Sequence, residues 1–200
     1  MFTGIIREVG SLKAKMPATN GSVVIEIASK KIKPQSGDSI AVNGACLTVT
    51  AITKTGFRAC VIKETSNRTN LSYLKIGAHL NLESSLRLGD AFDGHFVTGH
   101  VDSTSKVIKF ERGKKGAYLT VELPNSIKRF IAEKGSVALN GISLTIASVS
   151  NNSFTVATIP YTLKNTNLRF CKKGDPINIE VDVMARYLYN QAEAAARLSH

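Results

Sequence analysis

Hydrophobic and polar residues alternate in short bursts along this chain, and turn residues separate the bursts. Residues 22–27, 40–42, 47–52 and 56–62 each alternate over a few positions and are rich in Val, Ile and Thr, which is the period-two signature of half-buried strands. Asn43-Gly44, Thr55-Gly56 and Gly37-Asp38 supply turns in the first half, and Asn140-Gly141, Asn151-Asn152 and Gly174-Asp175 in the second. Short strands at this spacing without a crossover helix predict an all-β chain of small Greek-key barrels, each of about six strands. Two segments break the pattern. Residues 125–134 predict a short helix capped by Asn125 or Ser126. Residues 183–199 contain no Gly or Pro and place Met184, Leu188, Gln191, Ala195 and Leu198 at alternating steps of four and three. That is a coiled-coil stripe with one polar layer at Gln191, compatible with packing on its own barrel or bundling with other copies.

The strand pattern is written twice. Residues 37–85 align without a gap on residues 134–182 at an offset of 97, with 16 identities in 49 positions, where average amino-acid usage gives about 3. Ser39, Ala41, Asn43, Gly44, Leu47 and Thr48 recur as Ser136, Ala138, Asn140, Gly141, Leu144 and Thr145. Thr69-Asn70-Leu71, Asn81 and Glu83 recur as Thr166-Asn167-Leu168, Asn178 and Glu180. Residues 2–6 also match residues 97–101, at an offset of 95. A unit this long is a duplicated domain and not a solenoid repeat. The chain therefore divides into barrels at 1–95 and 96–182 and a terminal association helix at 183–200.

Composition removes several function classes. Lys+Arg 26 against Asp+Glu 15 gives a net charge of +11, which permits nucleic acid, an anionic membrane or an acidic small molecule. Lys30, Lys31, Lys33, Arg112, Lys114, Lys115, Lys172 and Lys173 are scattered without interleaved aromatics, and Trp is absent, so no nucleic-acid footprint emerges. Nothing approaches the ~20 apolar residues of a membrane span, and Arg7 and Glu8 arrive too early for a signal-peptide core. Cys46, Cys60 and Cys171 form an odd set without a C-x-x-C pair, arguing against disulfides or a zinc ribbon and for a reducing, cytoplasmic setting. Gly113-Lys114-Lys115-Gly116 lacks the spacing of a phosphate loop. Of His79, His95, His100 and His200, the middle two differ by an odd number of positions and would face opposite sides of one strand. A shared metal is thus not expected, and His95 reads as structural.

The repeat also shows where neighbours are kept and chemistry is exchanged. Cys46 stands opposite Ser143 in Asn-Gly-x-(Cys/Ser)-Leu-Thr, and Ile5 stands opposite His100 in Thr-Gly-x. A thiol, a hydroxyl and an imidazole are nucleophile and acid/base types, although a cysteine there also suits a small buried hydrophobe.

Met1-Phe2-Thr3-Gly4-Ile5, Asn43-Gly44-Ala45-Cys46-Leu47-Thr48-Val49, Gly94-His95-Phe96-Val97-Thr98-Gly99-His100-Val101 and Asn140-Gly141-Ile142-Ser143-Leu144-Thr145 closely resemble the motifs of the riboflavin synthase family, in the same order and over the whole chain. The resemblance implies two barrels that each hold one 6,7-dimethyl-8-ribityllumazine, four-carbon transfer between the two molecules, and no cofactor or metal. It implies homotrimers in which barrels of neighbouring subunits face each other and the terminal helices bundle; association with a lumazine synthase is left open. Carried over by position, ligand contacts fall in the first half on Gly4, Ile5, Ile6, Cys46, Leu47 and Thr48, and on Cys60, Val61, Ile62, Lys63, Glu64 and Thr65. In the second half they fall on Gly99, His100, Val101, Lys134, Ser143, Leu144 and Thr145, and on Ala157, Thr158, Ile159, Pro160, Tyr161 and Thr162. His100 is expected to carry protons, Cys46 and Ser143 to act as polar or nucleophilic partners, and Phe2 to cover a ring. Tyr161 departs from the pattern, since some relatives keep a carboxylate where the first half has Glu64. A non-catalytic lumazine or flavin antenna protein on the same barrels is the alternative reading.

Overall fold

A computed structural model describes residues 1–198; Ser199 and His200, with the last histidine and the end of the terminal segment, lie outside the described residues. Each half forms a closed six-stranded antiparallel barrel. The first comprises β1 (Glu8–Pro17), β2 (Val23–Ala28), β3 (Ser39–Val42), β4 (Ala45–Thr53), β5 (Gly56–Val61) and β6 (His79–Ser84), in the order β1-β2-β5-β4-β3-β6. The second comprises β7 (Ser103–Gly113), β8 (Gly116–Glu122), β9 (Ser136–Leu139), β10 (Ile142–Val149), β11 (Ser153–Thr158) and β12 (Pro176–Val181), in the equivalent order β7-β8-β11-β10-β9-β12.

Alternation builds both barrels. Along β4, Ala45, Leu47 and Val49 point into the core while Cys46, Thr48 and Thr50 face outward. Asn43 and Gly44 both have positive φ, 47° and 80°, and their counterparts Asn140 and Gly141 have 46° and 76°. These are the mirror-image turns whose twist matches a two-residue hairpin, which explains Asn-Gly at both positions. The register shifts between Leu12 and Ala14 and between Val49 and Ala51, and at the duplicate positions Val107/Lys109 and Ile146/Ser148. Such bulges bend strands enough to close a small barrel.

Two short helices escaped the sequence pattern: α1 (Lys63–Arg68) and α2 (Pro160–Asn165), each between the last two strands of its barrel. After each, a threonine caps a 3-10 turn: Thr69 accepts from the Leu71 amide and Thr166 from the Leu168 amide. Lys15 Nζ donates to the carbonyls of Leu71 and Ser72, and Arg112 to those of Leu168, Arg169 and Cys171. The helix expected at 125–134 shrinks to a 3-10 turn, Lys128–Phe130, with no side-chain cap. Burial of Ile127, Phe130 and Ile131 across the barrel end overrides local helix preference, which tertiary packing does readily. The terminal helix forms as expected, as α3 (Val183–Leu198).

The barrels are related by an approximate two-fold passing between their Asn-Gly turns. A Cβ on Gly44 would lie 2.6 Å from the Gly141 nitrogen, and one on Gly141 would lie 2.7 Å from that of Gly44. Around this contact the recurring asparagines exchange conjugate hydrogen bonds. Asn81 Nδ2 donates to the Asn140 carbonyl (3.0 Å) and Asn178 Nδ2 to that of Asn43 (2.8 Å). The Asn167 amide donates to Asn81 Oδ1 (2.7 Å) and the Asn70 amide to Asn178 Oδ1 (2.6 Å). Buried amides satisfied this fully fix one orientation of the two barrels.

Candidate functional site

Two straps cross the junction and exchange partners. Residues 2–4 are anchored to the first barrel by Glu83, which accepts from the Thr3 amide (2.7 Å), the Thr3 hydroxyl (2.8 Å) and the Gly4 amide (3.1 Å). The Gly4 carbonyl then accepts from the Ser143 amide of the second barrel (2.8 Å), and Ile6 packs on the second barrel's core. Thr98 and Gly99 repeat this with Glu180. The Gly99 carbonyl accepts from the Cys46 amide (2.9 Å), and Val101 joins the first barrel's core. Gly4 and Gly99 have φ of +78° and +81°, and a Cβ on either would fall within 2.7 Å of the Ser143 or the Cys46 Cβ. The recurring Thr-Gly is therefore a clamp followed by a close backbone approach.

This exchange corrects the grouping by chain order. Gly4, Ile5 and Ile6 belong with Ser143, Leu144 and Thr145 of β10, whereas Gly99, His100 and Val101 belong with Cys46, Leu47 and Thr48 of β4. On the first barrel's outer face, Cys46 and Thr48 of β4 adjoin Cys60 of β5 and the exposed Ile62, Lys63 and Glu64; Thr65 is half-buried in α1. On the second, Ser143 and Thr145 adjoin Ala157, which pairs directly with Thr145, then the exposed Ile159, Pro160 and Tyr161 and the half-buried Thr162. Cys60 does not fill the barrel; it faces outward beside Val24. Leu47, Val61, Val101, Leu144 and Thr158 turn their side chains inward, so only their backbone is available to a ligand.

Phe2 also differs from expectation. It is fully buried, bridged to Val97 and packed with Ala41, Ala138 and Cys46 at the junction, where the ring cover expected of it would need an exposed face. His100 is exposed and follows Gly99, whose carbonyl takes the Cys46 amide. Lys134 is exposed and held at φ +66° where the first half has Gly37. Glu64 is engaged by Arg68 at 2.5 Å on the exposed face of α1. Burial pushes the Cys171 thiol up to about 11, and it lies apart from both faces.

His95, read from the sequence as structural, lies against Ser143. It is buried, and its Nδ1 lies 2.7 Å from Ser143 Oγ. Nε2 is buried and finds no hydrogen-bond partner among the described residues. Burial holds the imidazole below its usual pKa, opposed by the charge of Asp182. Alternation against His100 was a poor guide because residues 95–100 run as a strap and not as a strand.

Cavities of about 610 Å³ and 590 Å³ lie at equivalent edges of the barrels, sharing Ala157, Thr158 and Ile159 in one case and Val61 and Lys63 in the other. Neither reaches Cys46 or Ser143, which lie on open faces. Among the described residues no group of three or more His, Cys, Asp or Glu is placed to hold a metal.

A model of the lumazine binding domain matches the chain twice, over residues 3–85 and 98–182. Curated relatives named riboflavin synthase are similar along nearly the whole chain: 39% identity in Bacillus amyloliquefaciens and 37% in Bacillus subtilis, each covering 94% of this chain and 88% of the relative. This chain belongs to the riboflavin synthase family. The family is one of enzymes, and its lumazine-binding repeat coincides with the duplicated barrel and its strap. The fold is shared with LumP, solved with riboflavin (TM-score 0.84) and with 6,7-dimethyl-8-(1'-D-ribityl) lumazine (0.82), at 22% identity over 90% of this chain and 99% of that one. No described helix is long and apolar enough to cross a membrane.

Proposed function

We propose that this chain catalyses the dismutation of two 6,7-dimethyl-8-ribityllumazine molecules, giving riboflavin and 5-amino-6-ribitylaminopyrimidinedione. The observation that carries this reading is the pair of related outer faces, one bearing Cys46 beside the strap of Gly99 and the other Ser143 with His95, in a chain with curated riboflavin synthase relatives. Each face takes one pteridine. Outward threonines and strand-end amides suit the ring's imide and the ribityl hydroxyls, and the pteridine delocalises the carbanion left when its 7-methyl group loses a proton. One molecule is the carbon acid and the other is attacked at C7, so two copies of one binding scaffold with different side chains match the task. Setting the two rings face to face before reaction is worth about 7–11 kcal/mol of orientation.

The faces lie open, and the reading completes them with the opposite barrel of a neighbouring subunit in a homotrimer. Helix α3 supports this. Ala185 and Tyr189 pack toward the second barrel and Arg186 bonds Asp102, while Met184, Leu188 and Leu198 of the predicted stripe are exposed. Three free cysteines fit a reducing cytoplasm. The LumP likeness favours a second reading, a non-catalytic lumazine or flavin carrier. Incubation of the purified chain with the lumazine alone separates the two: riboflavin fluorescence is expected, and tight lumazine binding without riboflavin would leave the carrier.

A further inference from the structure

A cleft of about 560 Å³ opens between the barrels on their approximate two-fold, and neither strap nor either outer face contributes to its lining. Tyr73, Lys75 and His79 line it from the first barrel, and their duplicates Phe170, Lys172 and Pro176 from the second. Its walls are aromatic: the His79 ring stacks on Phe170 with centroids 3.6 Å apart, and Tyr73 stands exposed. Its floor holds Asn140, which is 6% exposed. Asn140 Oδ1 accepts from the Asn70 side chain and the Asn178 amide, but Nδ2 donates to none of the described residues. A buried amide donor normally has a partner, so this one is open to an occupant.

Past Phe170 and Lys172 the cleft continues into a smaller one of about 410 Å³, lined also by Arg112, Arg169 and Lys173 and by no acidic residue. None of these four cations forms an ion pair among the described residues. Asp175, the acidic residue of the larger cleft, already accepts from the Lys172 amide. The repeat shows that charge was added on this side alone, since Ser72 and Ile76 stand where the second half has Arg169 and Lys173. Cations that look scattered in sequence order are thus gathered beside an aromatic cleft.

We infer that the joined clefts bind a phosphate monoester of a planar heterocycle, a ligand of mononucleotide size. Its ring lies against Tyr73 and the Phe170–His79 stack, and its phosphate among Arg169, Lys172 and Lys173. Both volumes suit a small molecule, and a flat heterocycle gains from stacking on aromatic side chains. A phosphate monoester carries about two negative charges at pH 7, which matches the unpaired cations better than a single carboxylate does. Guanidinium and ammonium donors both hold phosphate oxygens through charge-assisted bonds. Asn140 Nδ2 donates to an acceptor on the ring edge. The occupant touches residues of both barrels, so it also ties the junction together.

Calorimetric titration of the full chain with adenosine monophosphate, adenosine and inorganic phosphate tests this. Adenosine monophosphate is expected to bind with a Kd below about 1 mM and about 10-fold or more tighter than adenosine or phosphate alone, because ring and anion subsites are joined. Its affinity should fall as salt rises. The Arg169→Gln/Lys173→Gln double variant, changed at two exposed side chains, should bind it about 10-fold or more weakly through lost charge-assisted bonds. Phe170→Leu should cost about 5-fold or more through lost stacking. In the unsubstituted chain the ligand should shift the ring-proton NMR signals of His79, a readout that needs no variant to fold. Saturating 6,7-dimethyl-8-ribityllumazine should leave the affinity within about 2-fold, as for sites without coupling. Competition by the lumazine, an unmoved His79 signal, undiminished binding in the double variant, or phosphate or adenosine binding as tightly as the nucleotide would each overturn the site. The titration involves no turnover, so its result is independent of whether riboflavin forms.

Discussion

Replacing Gly99 by alanine should cost far more than the same change at Gly37, although both glycines are left-handed. Their φ values are +81° and +93°, but a Cβ on Gly37 meets nothing within 4 Å, whereas one on Gly99 lies 2.5 Å from Cys46 Cβ and 2.9 Å from its nitrogen. Alanine in this backbone region costs about 1–2 kcal/mol, and that is all Gly37→Ala should lose. At Gly99 the strap must also retreat from β4. Retreat breaks the Cys46 amide bond to the Gly99 carbonyl (2.9 Å) and the Gly99 amide bond to Glu180 (3.0 Å). A neutral bond contributes about 1 kcal/mol and one to a carboxylate about 1.5–3, so Gly99→Ala should lose about 4 kcal/mol in all. Urea denaturation of the two variants, compared at equal m-value, measures the difference. A Gly99→Ala chain no less stable than Gly37→Ala would refute the crossed-strap geometry, and with it the close approach of Gly99 to Cys46.

Glu8 accepts from Ser29 Oγ and from the amides of Lys30, Lys31 and Ile32 at 2.5–3.0 Å. Burial opposes its charge, but these bonds outweigh that and hold its pKa below the usual value. Its stabilisation is therefore present above the ordinary carboxylate pKa and lost as pH falls through the lower folded value. Glu8→Gln should cost about 1.5–3 kcal/mol at pH 7, with the gap to the unsubstituted chain closing in denaturation curves taken in acid. Asn81→Ala and Asn178→Ala each remove bonds across the junction, and each should cost about 3 kcal/mol from buried groups left unpaired; strongly unequal losses would contradict the two-fold. Leu188→Glu, on the exposed stripe of α3, should shift the proposed homotrimer toward monomer in sedimentation and lower activity with it; a fully active monomer would sink the proposed intersubunit site.

Much of this molecule was legible along the chain. Period-two alternation and Asn-Gly pairs mark the hairpins because both are local requirements of backbone and burial, and the 97-residue offset marks the duplication. What sequence order misplaced was the ownership of the straps. Thr3-Gly4 and Thr98-Gly99 read as the matching start of their own units, yet each glycine is held against the other barrel's strand. The short helix expected at 125–134 failed for a related reason, since burial of Ile127 and Phe130 decides there and not local propensity. His95 stayed hidden because alternation assigns faces only along a strand.

The sequence by itself determined two barrels, their turns, the terminal helix and the residue types at the duplicated positions, all properties of local periodicity and comparison at a fixed offset. Only the tertiary structure decided which strap serves which face, that Phe2 is a buried support, and that Ser143 has a histidine within hydrogen-bond reach. Those facts depend on how two closed barrels meet across an approximate two-fold. Contacts across that junction join residues from 48 to more than 130 positions apart, a separation at which no local pattern carries information.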